Sequence, residues 1–445
     1  MATPATAPPR PLLIKGGRVL LPDGTSPRAD VAVRDGLITE VGSGAAALGD
    51  EETIDADGRL VLPGLVDAHR HMWLGSLSAS AGDVTLFPYA RQVNEGLGDP
   101  FTTEDVYAGV LWGAVQALDA GVTTVADWAH NLGTDEDVEA NVRALDDSGI
   151  RARFFFGGKA SSSGDPAHFA AQARRLHTAH AARGGDGRIA LGLALRGPSM
   201  AGPAENEADF ALARELGLPV SVHAGMAGMP GAVDQLESQG LLGPEVNYVH
   251  ANAFSAREWE LIAASGGTVS ATPTVDLTMG LGSRLATGPA LAHGVPVGLG
   301  ADTVAYGPTD LFGEMRLVLA GERAQANAEA VGRGEMPSEL HLSHLDVLDV
   351  ATRGGARVLG LADRVGEVAP GRAADLITVD LSAPHLDGFG SPVLSAFRGA
   401  GPRDVDTVVV AGRVLKRHGR LDAALLDHAR AEMRRSRGRI RARSL

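Results

Sequence analysis

The stretch VLPGLVDAHRHMW, Val61 to Trp73, opens as an apolar, strand-like run and closes on His69 and His71. Residues i and i+2 of a strand point to one side, so the two imidazoles aim together and Arg70 turns away. Such a pair is either two satisfied edge residues or half of a metal site. Seven further apolar runs follow: GVTTVADWAH, IRARFFFGG, RIALGLALRG, PVSVHAG, VNYVHAN, GGTVSATP and VPVGLGAD. Between them lie Ala-rich helical segments such as TEDVYAGVLWGAVQALDA and ENEADFALARELG. Eight continuous apolar runs alternating with helices predict an α/β fold, a parallel (β/α)8 TIM-like barrel spanning residues 63–365, rather than an open sheet.

Outside the barrel the pattern is different. From Leu12 to residue 62, short alternating runs are punctuated by Asp23-Gly24 and Asp35-Gly36, which is hairpin chemistry. The same pattern resumes over 366–421 with VGEVAPGRAADLITVD and VDTVVVAGRVLKRHG. Both halves flank the barrel, so they are expected to meet in one small composite β-sandwich. Residues 1–11, rich in Pro, Ala and Thr, read as disordered. Residues 422–445 read as a helix that gives way to a solvated, frayed basic tail.

Composition narrows the chemistry. The chain of 445 residues has no cysteine, which excludes disulfides, thiolate ligands and a cysteine nucleophile. Any metal must be held by His, Asp or Glu. The net charge of −14, without a dense basic patch, excludes a nucleic-acid partner. No apolar run approaches the ~18 residues of a membrane span, and the N-terminal stretch does not read as a secretory signal. A cytoplasmic protein acting on a small molecule is expected, with a homodimer or larger homo-oligomer left open.

In such a barrel the chemistry sits where the strands end. The runs end, in order, in His69 and His71, in Asp127 and His130, near Lys159, in Arg196, in His223, in His250, near Thr272 and Asp276, and in Asp302. His69, His71, His223 and Asp302 supply three nitrogens and one oxygen, a set suited to one Zn²⁺ or Fe²⁺ with a position left for water. Such an ion lowers the pKa of its water towards ~7. His250 is either a ligand of a second metal or a hydrogen-bond partner of that water, and the second role is favoured. Arg196 could clamp a carboxylate or form a salt bridge to a neighbouring loop. Asp276 could contact substrate or cap its loop, and His130 faces the mouth if its run ends there. Trp73, Phe87, Tyr89, Trp128 and Tyr306 could stack on a flat ring or anchor loops.

These residues resemble a known group. DADGRLVLPGLVDAHRH looks like the entry to the amidohydrolase superfamily, and GEVAPGRAADLITVD like its exit. VHAN and GLGADTVAYGPTDLFGEMR are similar to the branch that holds cytosine deaminase, S-adenosylhomocysteine deaminase and triazine hydrolases. The resemblance implies a mononuclear site, Zn²⁺ ahead of Fe²⁺, with ligands His69, His71, His223 and Asp302. It further implies that His250 positions or polarises and that Asp302 takes the proton of the attacking water. Deaminases of this branch carry Glu three residues after the fifth-strand His. Here HAGMAGMPG puts Met226 there, and a thioether transfers no proton. LALRGPSM likewise has Arg196 where many relatives have His. The expected enzyme is therefore a metal-dependent hydrolase of a non-peptide C–N bond in an amide, cyclic amide or N-heterocycle. The alternatives are a deaminase in which Asp276, Asp127 or a loop carboxylate replaces the Glu, or a metal lyase or decarboxylase that uses Arg196.

Overall fold

The computed structural model describes residues 9–45, 49, 51–159, 166–183 and 187–443. Five strands precede the barrel: β1 (Leu12–Val19), β2 (Arg28–Arg34), β3 (Leu37–Gly42), β4 (Glu52–Asp55) and β5 (Arg59–Pro63). Eight make it: β6 (Leu65–Arg70), β7 (Val122–Leu132), β8 (Arg151–Gly158), β9 (Ile189–Leu195), β10 (Val220–Ala224), β11 (Val246–His250), β12 (Thr268–Ala271) and β13 (Val297–Leu299). Four follow: β14 (Leu376–Asp380), β15 (Val405–Val410), β16 (Arg413–Arg417) and β17 (Arg420–Leu421).

Strands β6 to β13 pair in sequence order, all parallel, and each coincides with one of the eight apolar runs. A parallel strand covered on both faces must be apolar throughout, and β6 is buried at every position. The barrel closes where β13 approaches β6. The contact is a single parallel bridge, Arg70 to Asp302. The Asp302 N–H donates to the His69 carbonyl and the His71 N–H to the Asp302 carbonyl, both at 2.9 Å. Glycine is required here. A Cβ on Gly300 would stand 2.6 Å from the His69 carbonyl oxygen, and one on Gly298 would stand 2.7 Å from Ala68 Cβ.

The flanking segments form one mixed sheet of nine strands in which β5 pairs with β14, joining the two halves. The expected sandwich is this single sheet folded over its own core of Ile14, Val31, Val61, Leu376 and Val409. Asp375, just before β14, fastens it to the barrel. Its carboxylate accepts Arg151 Nε at 2.7 Å and Arg151 Nη2 at 3.0 Å from β8, and the Ala411 N–H at 2.8 Å. The pair is buried.

Two expectations about the ends need correction. Residues 1–8 lie outside the described residues, but the Pro11 carbonyl already accepts the Glu52 N–H at 2.8 Å. The basic tail is not frayed: one helix runs from Ala423 to Arg443. Arg439 Nε and Arg443 Nη1 reach the buried carboxylate of Asp105 at 2.9 and 3.0 Å, and Arg437 Nε donates to the Ser76 carbonyl at 2.8 Å. Asp105 opens the helix Thr103–Asp119, so the guanidinium groups are recruited by a carboxylate that would otherwise be buried unpaired.

Removing one partner of a buried, bidentate ion pair leaves an uncompensated charge, so Asp375→Ala is expected to lower stability by ~3–5 kcal/mol. Denaturant unfolding measures this, and a loss below ~1 kcal/mol would exclude Asp375 as the fastening.

Candidate metal centre

The donors converge at the barrel mouth. The rings of His69 and His71 lie 4.8 Å apart, those of His69 and His223 5.0 Å, and those of His71 and His223 5.6 Å. One ligand nitrogen from each of the three lies within 4.8 Å of the others. Asp302 Oδ1 is 3.4 Å from His69 Nε2 and 3.3 Å from His71 Nε2. Neither separation has hydrogen-bond geometry at His69, whose two ring nitrogens are buried without a hydrogen-bond partner. His71 Nδ1 lies 2.8 Å from the Trp128 carbonyl, which can only accept, so Nδ1 carries the proton and Nε2 offers a lone pair to the centre.

Electrostatics favour the same species. Burial holds the His69 imidazole down at about 4, against a smaller opposing pull from Asp302. His223 sits well below its ordinary value, first through desolvation and then through the neighbouring His69, His250 and His71. Burial disfavours the Asp302 carboxylate, but the close approach of His69 and His71 outweighs it, so its pKa falls well below the usual range. Two neutral imidazoles and an ionised carboxylate around unpartnered buried nitrogens fit a divalent ion. Orphaned polar atoms of this kind are otherwise costly.

His250 is built differently. Its Nδ1 is 2.8 Å from Asp276 Oδ1 and 3.0 Å from Thr272 Oγ1. Asp276 also accepts the Thr272 N–H at 3.1 Å and the Thr272 hydroxyl at 2.9 Å. Burial works against a cationic His250, but the bond to Asp276 and the charges of Asp276 and Asp302 prevail and raise its pKa. His250 and Asp302 both adopt left-handed backbone, with φ of 79° and 57°. Such strain costs ~1–3 kcal/mol per residue and concentrates at functional sites.

Above the donors opens a cavity of about 580 Å³, lined at its base by His71, His130, His223, His250, Asp302 and Thr303. Three sequence expectations change here. Trp73 does not line the cavity: it is 1% exposed and packs edge-on against Phe101 and His130. Asp276 is fully buried behind His250, bonded to its ring, and does not line the cavity. Arg196 does line the cavity, but its guanidinium is already bound to Glu205 Oε1 at 3.0 Å and Asp209 Oδ2 at 3.4 Å. Asp127 is fully buried too, accepting from Asn141 at 2.7 Å and from the Met72 N–H. Met226 faces the cavity.

One pair escaped sequence reading. The Tyr89 hydroxyl lies 2.6 Å from Thr303 Oγ1, beside Asp302, and both residues line the cavity. The available signal was weak: Thr303 adjoins Asp302, and Tyr89 carries a polar tip as well as a ring.

The sequence profile described as "Amidohydrolase family" matches residues 60–415. A 5-methylthioadenosine/S-adenosylhomocysteine deaminase of Natronomonas pharaonis is 32% identical, over 91% of this chain and 92% of that protein. The zinc-bound crystal structure of an adenosine deaminase from Xanthomonas campestris superimposes with a TM-score of 0.82 at 25% identity, over 97% of this chain and 98% of that one. Atrazine chlorohydrolase from Arthrobacter aurescens TC1, complexed with zinc, gives 0.81 at 25% identity over 96% and 99%. No helix among the described residues is long and apolar enough to cross a membrane.

If the histidines hold an ion, metal-replete protein carries about one equivalent of divalent metal per chain, as a site with three to four protein ligands would. His69→Ala and His223→Ala are expected to lose it. Plasma mass spectrometry of folded, desalted protein gives the answer, and full retention in both variants would rule this centre out.

Proposed function

We infer that the chain, which belongs to the amidohydrolase family, is a hydrolase of carbon–nitrogen bonds other than peptide bonds. From that premise we propose a mononuclear, metal-dependent hydrolase that attacks a C–N bond of an amide, cyclic amide or N-heterocycle with water. The observation that carries the reading is the convergence of His69, His71 and His223 nitrogens within 4.8 Å, with Asp302 Oδ1 3.3–3.4 Å from two of them. A Zn²⁺ ion, favoured over Fe²⁺ by the zinc in solved relatives, would supply Lewis acidity to water and to the bond under attack.

The chain's own residues manage the protons. Asp302, ionised at neutral pH, takes one from the attacking water and is placed to return it to the departing nitrogen. His250, held by Asp276 through Nδ1, presents Nε2 to the cavity, where it polarises the substrate. Hydrolysis then adds OH to carbon and H to nitrogen, with no other reactant. Met226 supports a limit on the substrate. It lines the cavity at the position where deaminases of this branch carry the proton-shuttling Glu. The favoured bond is therefore one whose nitrogen leaves with little help.

A second reading, hydrolytic deamination, draws support from the relatives' names. It needs a substitute acid. Asp127 and Asp276 do not serve, because both are buried away from the cavity and fully engaged, which leaves Asp302 and His250. The carboxylate-clamping lyase loses its support because Arg196 is already bound by two carboxylates.

Asp302→Asn is expected to lower turnover by ~10²–10⁴-fold, the usual worth of a general base, with the circular dichroism spectrum unchanged. Activity within tenfold of wild type would remove Asp302 from this role. Turnover in ¹⁸O-water should place one label in the product; an unlabelled product would exclude hydrolysis. Met226→Glu should raise ammonia release from aminopurines and aminopyrimidines by at least tenfold. An unchanged rate would show that the missing acid is not what limits deamination.

A further inference from the structure

The walls of the cavity say more about the substrate than its floor does. Phe87, Phe169, Met200, Met226, Met229 and Met279 line it. Phe87 and Met200 stand at the mouth, 67% and 59% exposed, although side chains of this size are normally covered. Thioethers adapt to apolar ligands of irregular outline. Among the described lining residues Arg196 is the single Arg or Lys, and Glu205 and Asp209 hold it. That trio carries a net negative charge, and Glu95 adds another at the mouth. Away from the donor cluster, no Arg or Lys among the described lining residues is left unpaired to receive an anionic group. Asp209 Oδ2 is committed to Arg196 at 3.4 Å.

We infer that this site takes an uncharged ring or cyclic amide whose substituent remote from the scissile bond is alkyl or aryl, in preference to a carboxylate-bearing molecule. The inference rests on the hydrolytic reading above for the reacting end alone; the walls specify the remote end. Binding of the substituent covers Phe87 and Met200 and displaces water from the thioether surface. Each methylene so buried is worth about 0.8 kcal/mol, or ~4-fold in affinity.

The test uses zinc-reconstituted, full-length protein and two probe sets: 9-alkyladenines and N-alkylhydantoins, each from methyl to butyl, with benzyl and 3-carboxypropyl members. Calorimetry gives Kd for each, and product analysis gives turnover. Affinity should rise ~3–4-fold per methylene in at least one set, and the carboxylate members should bind at least tenfold more weakly than butyl. Phe87→Asp and Met200→Glu change exposed positions, so folding is preserved. Each should weaken the butyl member ~tenfold more than the methyl member. A flat series in both sets, tighter binding of carboxypropyl, or no binding by any alkyl member overturns the inference. Graded binding without hydrolysis leaves the inference standing and counts against the proposed chemistry. Hydrolysis with a flat series has the opposite meaning.

Discussion

The rest of the structure depends on the seam at which β13 meets β6. An eight-stranded parallel barrel must bring its last strand back to its first, and here the contact narrows to one bridge between Arg70 and Asp302. Two backbone hydrogen bonds of 2.9 Å tie Asp302 to His69 and His71. The bonds that close the barrel therefore also set the spacing of three candidate ligands. Slipping the register by one residue would turn both imidazoles into the wall and put Arg70 at the mouth. Gly298 and Gly300 keep the approach close enough. The left-handed backbone of Asp302 is the local strain that this closure sustains.

Burial then sorts three histidines into two kinds. Desolvation makes His69 and His223 poor bases, so their lone pairs remain available at neutral pH. His250 is as deeply placed, but Asp276 stands directly behind it and reverses the effect. The difference arises from one carboxylate 26 residues further along the chain. Proximity to the centre alone does not distinguish a ligand from a proton-handling residue. What the far nitrogen of each ring touches does.

The same distinction explains what was legible in the sequence. The eight strands were, because a parallel strand covered on both faces writes its burial into consecutive residues. The His and Asp residues that end those runs were, because the end of a run is a local feature. The sequence left two readings each for Arg196, Asp276 and Trp73, because their roles depend on partners elsewhere. Glu205 and Asp209 lie on the next helix. Trp73 is enclosed by Phe101 and His130 from the segments that follow. The arginines of the last helix look solvated in sequence, as helical charges usually are. Asp105, which engages Arg439 334 residues earlier in the chain, is invisible to any local pattern.

Met226 joins the chemistry at the floor to the character of the walls. A carboxylate at that position would act as an acid and would also make the cavity attractive to polar, hydrogen-bonding ligands. A thioether removes both properties at once. With Arg196 neutralised by its two carboxylates, the strongest field in the cavity comes from the His and Asp cluster at its base. A molecule with an apolar end and one polarised C–N bond is oriented by that field and by the walls together. Its reactive end finds the His and Asp cluster, and its apolar end finds Phe87 and Met200. A substrate with polar groups at both ends would have no such preference. The thioether of Met226 and the apolar walls are thus consistent demands on one ligand: a nitrogen that leaves readily, attached to a body that prefers not to stay in water.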